Sequence, residues 1–267
     1  RLFQSLVIAL TDSEKSGAPK AEDQVAFENF NNKDVASLSG EEVRALLSES
    51  GLWTALRVRP QGRVPCTTDA CHAVFVTATD TNPLAPSIPA IIAGKEEHLK
   101  AGLAVLKKLT EGSLYLCVGP EWSLDVSGVS GVEVETFSGP HPAGLAGTHI
   151  HTLAPVSRER HAFQIGIQDV IAVGELFSTG LLNLTRVISL AGPIVNQPRL
   201  LQTRVGASVS EIAAGELDES AEARLVSGSV LYGHTANEEI FAFLNRYDQQ
   251  ISVLAEDRER VLLGWLG

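Results

Sequence analysis

The order of apolar and polar residues predicts a mixed α/β chain whose texture changes near residue 183. Leu2–Leu10 reads as an opening strand, followed by a polar loop, TDSEKSGAPKAED. SGEEVRALLSES then begins with Ser39 and Glu42 at capping-box spacing, the signature of a helix start. AVFVTA (Ala73–Ala78) has the β-branched and aromatic content of a buried strand. In GKEEHLKAGLAVLKKLT, Leu99, Leu103, Leu106 and Leu109 recur at helical spacing with charges between them. SLYLCVG (Ser113–Gly119) is a second apolar strand, so strand, helix and strand make a βαβ unit with a parallel sheet. VEVETF (Val132–Phe137) adds a third strand, and IQDVIAVGELFSTG (Ile167–Gly180) an amphipathic helix closed by a glycine C-cap.

Beyond that point TRVISLAGPIVNQPRLLQTRVGASVSEIAAGEL reads as strand, Gly-Pro turn, strand and short capped helix, and ARLVSGSVLYG as another strand. This β-β-α-β run is a small mixed domain rather than more of the parallel sheet. From about Asn237 the chain opens with a short helix, EEIFAFLNR. There is no internal repeat and no low-complexity segment.

Composition narrows the function. With 44% hydrophobic and 20% charged residues the chain is an ordinary folded protein. A net charge of −11 argues against a nucleic-acid partner and against a polybasic lipid anchor. No apolar run is long enough to span a bilayer, and RLFQSLVIAL is not a secretory signal. Three cysteines suggest a reducing compartment rather than a disulfide framework. Arg1 in place of methionine and the apolar end LLGWLG read as a piece of a longer protein, cut at both ends.

Two stretches invite a chemical reading. GPHPAGLAGTHIH (Gly139–His151) follows the third strand with His141, His149 and His151. On a strand His149 and His151 would share a face, an acceptable ligand spacing with His141 as a third nitrogen. No acidic residue or cysteine joins them, so the stretch reads as a structural or docking loop, not a metal site. CTTDACH (Cys66–His72) lacks the second half of a zinc motif. The other stretch, SGLWTALRVRPQGRVP, sets Arg57, Arg59 and Arg63 within seven residues beside Trp53. It reads either as a solvated loop or as a recognition surface for a planar ligand or an acidic partner. GxSxG, HExxH and G-x-G-x-x-G are all absent, so nucleophilic, metalloprotease and dinucleotide signatures are missing.

The succession SGLWTALRVRP, FVTATDTNPLAP, GPHPAGLAGTHIH, QDVIAVGELFSTG, LAGPIVNQPRL and GASVSEI resembles the NqrA subunits of the bacterial Na+-translocating NADH:quinone oxidoreductase from Arg1 to about Trp265. That resemblance implies the end of a biotinyl-lipoyl-like domain and linker (1–36), a Rossmann-like domain (37–182), a β-grasp SLBB domain (183–235) and the start of a helical region (236–267). The family is a distant cousin of the flavoprotein subunit of respiratory complex I. Where those cousins carry a glycine-rich loop, this chain has Ser50-Gly51-Leu52-Trp53-Thr54-Ala55, whose Leu52 and Trp53 fill the space left for phosphate.

The resemblance further implies a peripheral subunit of a six-subunit complex on the cytoplasmic face of the inner membrane. NADH, flavins and iron-sulfur centres would belong to other subunits, with no cofactor or metal on this chain. Trp53, Arg57, Arg59, Arg63, His141, His149 and His151 are the residues expected to face a ubiquinone head group or a partner subunit. Trp53 would be the apolar wall, and Arg57 or Arg59 with His141 the donors. A stand-alone NADH-dependent oxidoreductase and a soluble small-ligand-binding module are the competing readings.

Overall fold

The computed structural model describes residues 6–16, 20, 24–236, 241–256 and 258. The chain forms two compact units. The first takes the residues up to Thr81 together with Ser87–Leu184, and the second Asn82–Pro86 with the residues from Thr185 onward.

The first unit begins with α1 (Asp12–Lys15), one turn inside the stretch expected to be loop, capped by Thr11. The opening strand is not seen: residues 6–10 are in no strand, and residues 1–5 lie outside the described residues. α2 (Gly40–Glu49) starts at the expected capping box, Ser39 accepting from the Glu42 N–H while the Glu42 carboxylate accepts from the Ser39 N–H. A 3-10 helix at Leu52–Ala55 leads into β1 (Arg57–Arg59). β2 (Ala73–Ala78), α3 (Ile88–Ile92), α4 (Glu96–Lys107), β3 (Leu114–Val118) and β4 (Val132–Thr136) follow. Then come α5 (Ala146–Leu153), β5 (Ala162–Gly166) and α6 (Ile167–Thr179), closed by Gly180 in the left-handed region. β1, α5 and β5 were not expected from the sequence.

The strand order is β1-β5-β2-β3-β4, with β5, β2, β3 and β4 parallel and β1 antiparallel on the β5 edge. Consecutive strands step outward from β2 through β3 to β4, and the chain then returns to place β5 on the other side of β2. Between β2 and β5 the direction of winding reverses. In doubly wound sheets ligands bind in that crevice, at the carboxyl ends of the strands.

Register assigns the side chains to two faces, because directly paired residues point the same way and neighbours alternate. One row runs Arg57, Gln164, Phe75, Tyr115, Glu133 across the five strands. On the same face Arg59 stands opposite Ala162, which stands opposite Ala73. α5 covers part of this face, where Ile150 and Ala154 join Phe75, Cys117, Ala73 and Ala162 in one buried cluster. Val58, Phe163, Val74 and Leu114 point to the other face. α4 and α6 approach at two glycines: a Cβ on Gly102 would lie 2.0 Å from Val170 O, and one on Gly174 1.7 Å from His98 O.

The second unit is a sheet in the order β7-β6-β10-β8-β9. Its strands are β6 (Thr185–Ala191), β7 (Arg199–Arg204), β8 (Ala223–Ser227), β9 (His234–Thr235) and β10 (Gln250–Ala255), with α7 (Val209–Ala213) capped by Ser208. β10 runs parallel to β6 and antiparallel to β8. It corrects the expectation of a helical region after 236. Of EEIFAFLNR, residues 238–240 lie outside the described residues and residues 241–246 form no helix. Ile188, Leu190, Ile251 and Val253 build the apolar core of this unit. The other face of β6 and β10 is polar and receives the 82–86 segment. There Gln250 Nε2 donates to Pro83 O at 2.9 Å, and Ser189 Oγ donates to Leu84 O. Asp248 is also buried and accepts the Ser227 hydroxyl at 2.7 Å; burial pushes its carboxyl above the usual aspartate value.

No helix among the described residues is long and apolar enough to cross a membrane.

Candidate functional site at the switch point of the first sheet

The crevice between β2 and β5 is built from three pieces of chain. β2 runs on through Thr79 to Thr81, β5 turns at Gly166 straight into α6, and the 139–145 loop enters from β4. Thr81 ties the loop in place: its Oγ1 accepts the Gly144 N–H at 3.0 Å and lies 3.1 Å from His141 Nδ1. Gly144 is buried against this strand end, where a Cβ would sit 2.6 Å from Thr81 N. Only a residue without a side chain lets the loop come this close.

α6 carries the decisive charge. A dinucleotide fold sets the pyrophosphate against the first turn of the helix after a strand, where free N–H groups and the positive end of the helix dipole meet. Here that turn holds Asp169, 7% exposed, with Gln168 equally buried beside it. A buried carboxylate already supplies the negative charge such a turn favours, and it repels a phosphate. No Gly-rich cradle stands opposite, because Leu52 and Trp53 of the 3-10 helix are buried at 3% and 5% exposure. The residues present do not fit a flavin or nicotinamide dinucleotide in this crevice.

The histidines have separate surroundings. Ala146–Leu153 is helical, so His149 and His151 do not share a face as strand spacing suggested; two residues on a helix turn through about 200°. His149 is fully buried, its ring 4.2 Å from Phe137 and its Nε2 donating to Ala143 O at 2.9 Å. Burial lowers its pKa, so the neutral imidazole is the form this site favours. His151 is exposed, whereas His141 is half-buried beside Thr81. Among the described residues no group of three or more His, Cys, Asp or Glu side chains is placed to hold a metal ion.

The second expected constellation is taken apart by the sheet. Trp53 packs edge-on to Phe163 at 6.0 Å, and its Nε1 donates to Pro65 O at 2.8 Å. Arg44 covers its ring at 5.4 Å. Phe163 shares its face with Val58, so Trp53 lies on the opposite side of the sheet from Arg57 and Arg59. It is a buried core residue and offers no open ring face next to those guanidinium groups. Arg63 is engaged elsewhere, 3.0 Å from Asp69 and bonded to Val64 O. Arg57 and Arg59 stand together, half-buried.

Asp69, Arg44, Thr81 and Asp169 escaped the sequence reading. Only Asp169 left a local signal, in the step from strand-like HAFQIG into helical IQDV.

Comparison with known proteins sets this geometry in a family. Residues 38–182 match the model described as the NqrA second alpha/beta domain, and residues 187–238 the NQRA C-terminal domain. The chain belongs to the NqrA family. It is 49% identical over 265 residues to the NqrA subunit of the Na(+)-translocating NADH-quinone reductase from Vibrio campbellii, covering 99% of this chain. It is 46% identical to that of Shewanella amazonensis and 45% to that of Neisseria meningitidis, each over 266 residues. The chain spans 57% of the length of each of these relatives. Among solved structures, an NAD+-reducing NiFe-hydrogenase in the H2-reduced state superposes with a TM-score of 0.58 at 12% identity, covering 83% of this chain and 48% of that one. At that identity the likeness is one of fold. Within the NqrA family, then, this chain keeps a doubly wound sheet whose switch point is bordered by the 139–145 loop and the first turn of α6.

Proposed function

We propose that this protein is a peripheral, cofactor-free subunit of a respiratory complex that oxidises NADH, reduces ubiquinone and exports Na+. It would sit on the cytoplasmic face of the inner membrane, with flavins and iron-sulfur centres on other subunits. Family membership supports the subunit role. The observation that carries the cofactor-free reading is the buried carboxylate of Asp169 in the first turn of α6, beside a loop held in the crevice by Thr81.

Docking to neighbouring subunits is the task the geometry favours for Arg57 and Arg59. Trp53, their expected partner as a quinone wall, points into the core on the other face. Ubiquinone belongs to this reading as the electron acceptor of the whole complex.

Deleting the gene for the full-length protein tests the proposal. Membranes from the deletion strain are expected to lose Na+-stimulated NADH:ubiquinone reduction, and re-expression is expected to restore it. Persistence of that activity, or NADH oxidation by the purified protein alone, contradicts the reading.

A further inference from the structure

The Arg57–Arg59 pair lies on the edge strand of the first sheet, whose outer side is bridged at Val58 by the chain's own turn, the Val58 N–H donating to Arg63 O at 2.8 Å. Being two residues apart on β1, the side chains share a face, over Gln164 and Ala162 of β5. Ala162 and, beyond it, Ala73 are too small to wrap the Arg59 stem with polar groups. Arg59 Nε is shielded from solvent and meets no acceptor. Among the described residues no carboxylate pairs with Arg59, although Arg63, Arg199, Arg224 and Arg258 each have one, in Asp69, Glu216, Glu256 and Glu222. In a chain of net charge −11, this is a cation left beside a second cation while acids are plentiful. Burial and the neighbouring Arg57 charge both lower the Arg59 pKa, so the isolated fold disfavours the charge it carries there. Of its side-chain nitrogens Nε is the one both shielded and without an acceptor, and the residue as a whole is half-buried.

We propose that Arg59, with Arg57 beside it, receives a carboxylate side chain from a neighbouring subunit, forming a bidentate ion pair at the β1 edge. A carboxylate matches the planar guanidinium fork and neutralises the like-charge pair. The inference rests on the proposed subunit role.

The test uses the full-length protein and membranes stripped of it by salt. Rebinding of wild type is compared with the double variant Arg57→Gln/Arg59→Gln and with Arg57→Lys/Arg59→Lys. The glutamine pair is expected to weaken rebinding by about tenfold or more, and more steeply as salt rises, while the lysine pair falls between it and wild type. In the isolated protein the single variant Arg59→Gln is expected to leave the unfolding midpoint unchanged or raise it, because it removes a half-buried charge that stands beside a second cation. Equal rebinding of the glutamine pair and wild type overturns the proposal while leaving the subunit role standing. A lowered unfolding midpoint for Arg59→Gln also overturns it, since Arg59 would then be paired within the fold. So does sub-millimolar binding of inorganic phosphate that the glutamine pair abolishes, which would assign the site to a small oxyanion. Failure of wild type itself to rebind contradicts both this inference and the subunit role.

Discussion

Replacing Trp53 with alanine is expected to lower the unfolding free energy of the first unit by about 3–5 kcal/mol, the usual cost of emptying a buried large aromatic site. The indole is 5% exposed and meets Phe163 edge-on at 6.0 Å. Its loss opens a cavity under the β1–β5 pair and leaves Pro65 O without its donor. The Arg44 guanidinium over the ring would lose its aromatic partner too. Trp53→Phe keeps most of the volume but not the N–H, so it should fall between, about 1–2 kcal/mol below wild type. Urea denaturation followed by far-UV circular dichroism measures both variants. A cost below about 1 kcal/mol for the alanine variant would mean that Trp53 is not a core residue.

Gly174→Ala should be at least as damaging. The added Cβ would lie 1.7 Å from His98 O and 2.7 Å from Gly102 N, so it meets backbone rather than a movable side chain. α4 and α6 must then separate, and the expected loss is about 3 kcal/mol or more, at or beyond the top of the ordinary overpacking range. Gly147→Ala is the control. That glycine lies in α5 with nothing within 4 Å of the added carbon, and alanine is the better helix former, so stability should rise by up to about 1 kcal/mol. Thermal unfolding of the two variants should move in opposite directions. Equal shifts would contradict the close helix approach.

The elements that the sequence made legible are those whose pattern repeats. α4 has three leucines on one face, and β2 and β3 are short apolar runs between turn signals, so local periodicity was enough. β1 was read as a charged turn because a three-residue strand with arginines at both ends has no apolar alternation to show. β5 was hidden by the helix that follows it without a loop. β10 did carry a period of two, with Ile251 and Val253 in the apolar core and Gln250 and Ser252 on the polar face, buried as well. The implied helical region obscured it.

For the candidate site, residue types were visible but partners were not. His149 and His151 looked like a pair until a helix separated them. Trp53 and Arg57 are four residues apart and stand on opposite faces of one sheet, a relation fixed by pairing with β5, far along the chain, where Arg57 stands opposite Gln164. Gly144 and Thr81, likewise distant in sequence, meet only because β4 and β5 lie on opposite sides of β2.

Titrating the purified protein with FMN and with NADH, followed by flavin anisotropy and nicotinamide fluorescence, tests the central claim most directly. With Asp169 buried in the first turn of α6 and the 139–145 loop tied to Thr81, no saturable binding of either ligand is expected below the millimolar range, and the protein should be isolated without flavin colour. One-to-one binding of FMN or NADH at micromolar concentration would contradict a cofactor-free subunit.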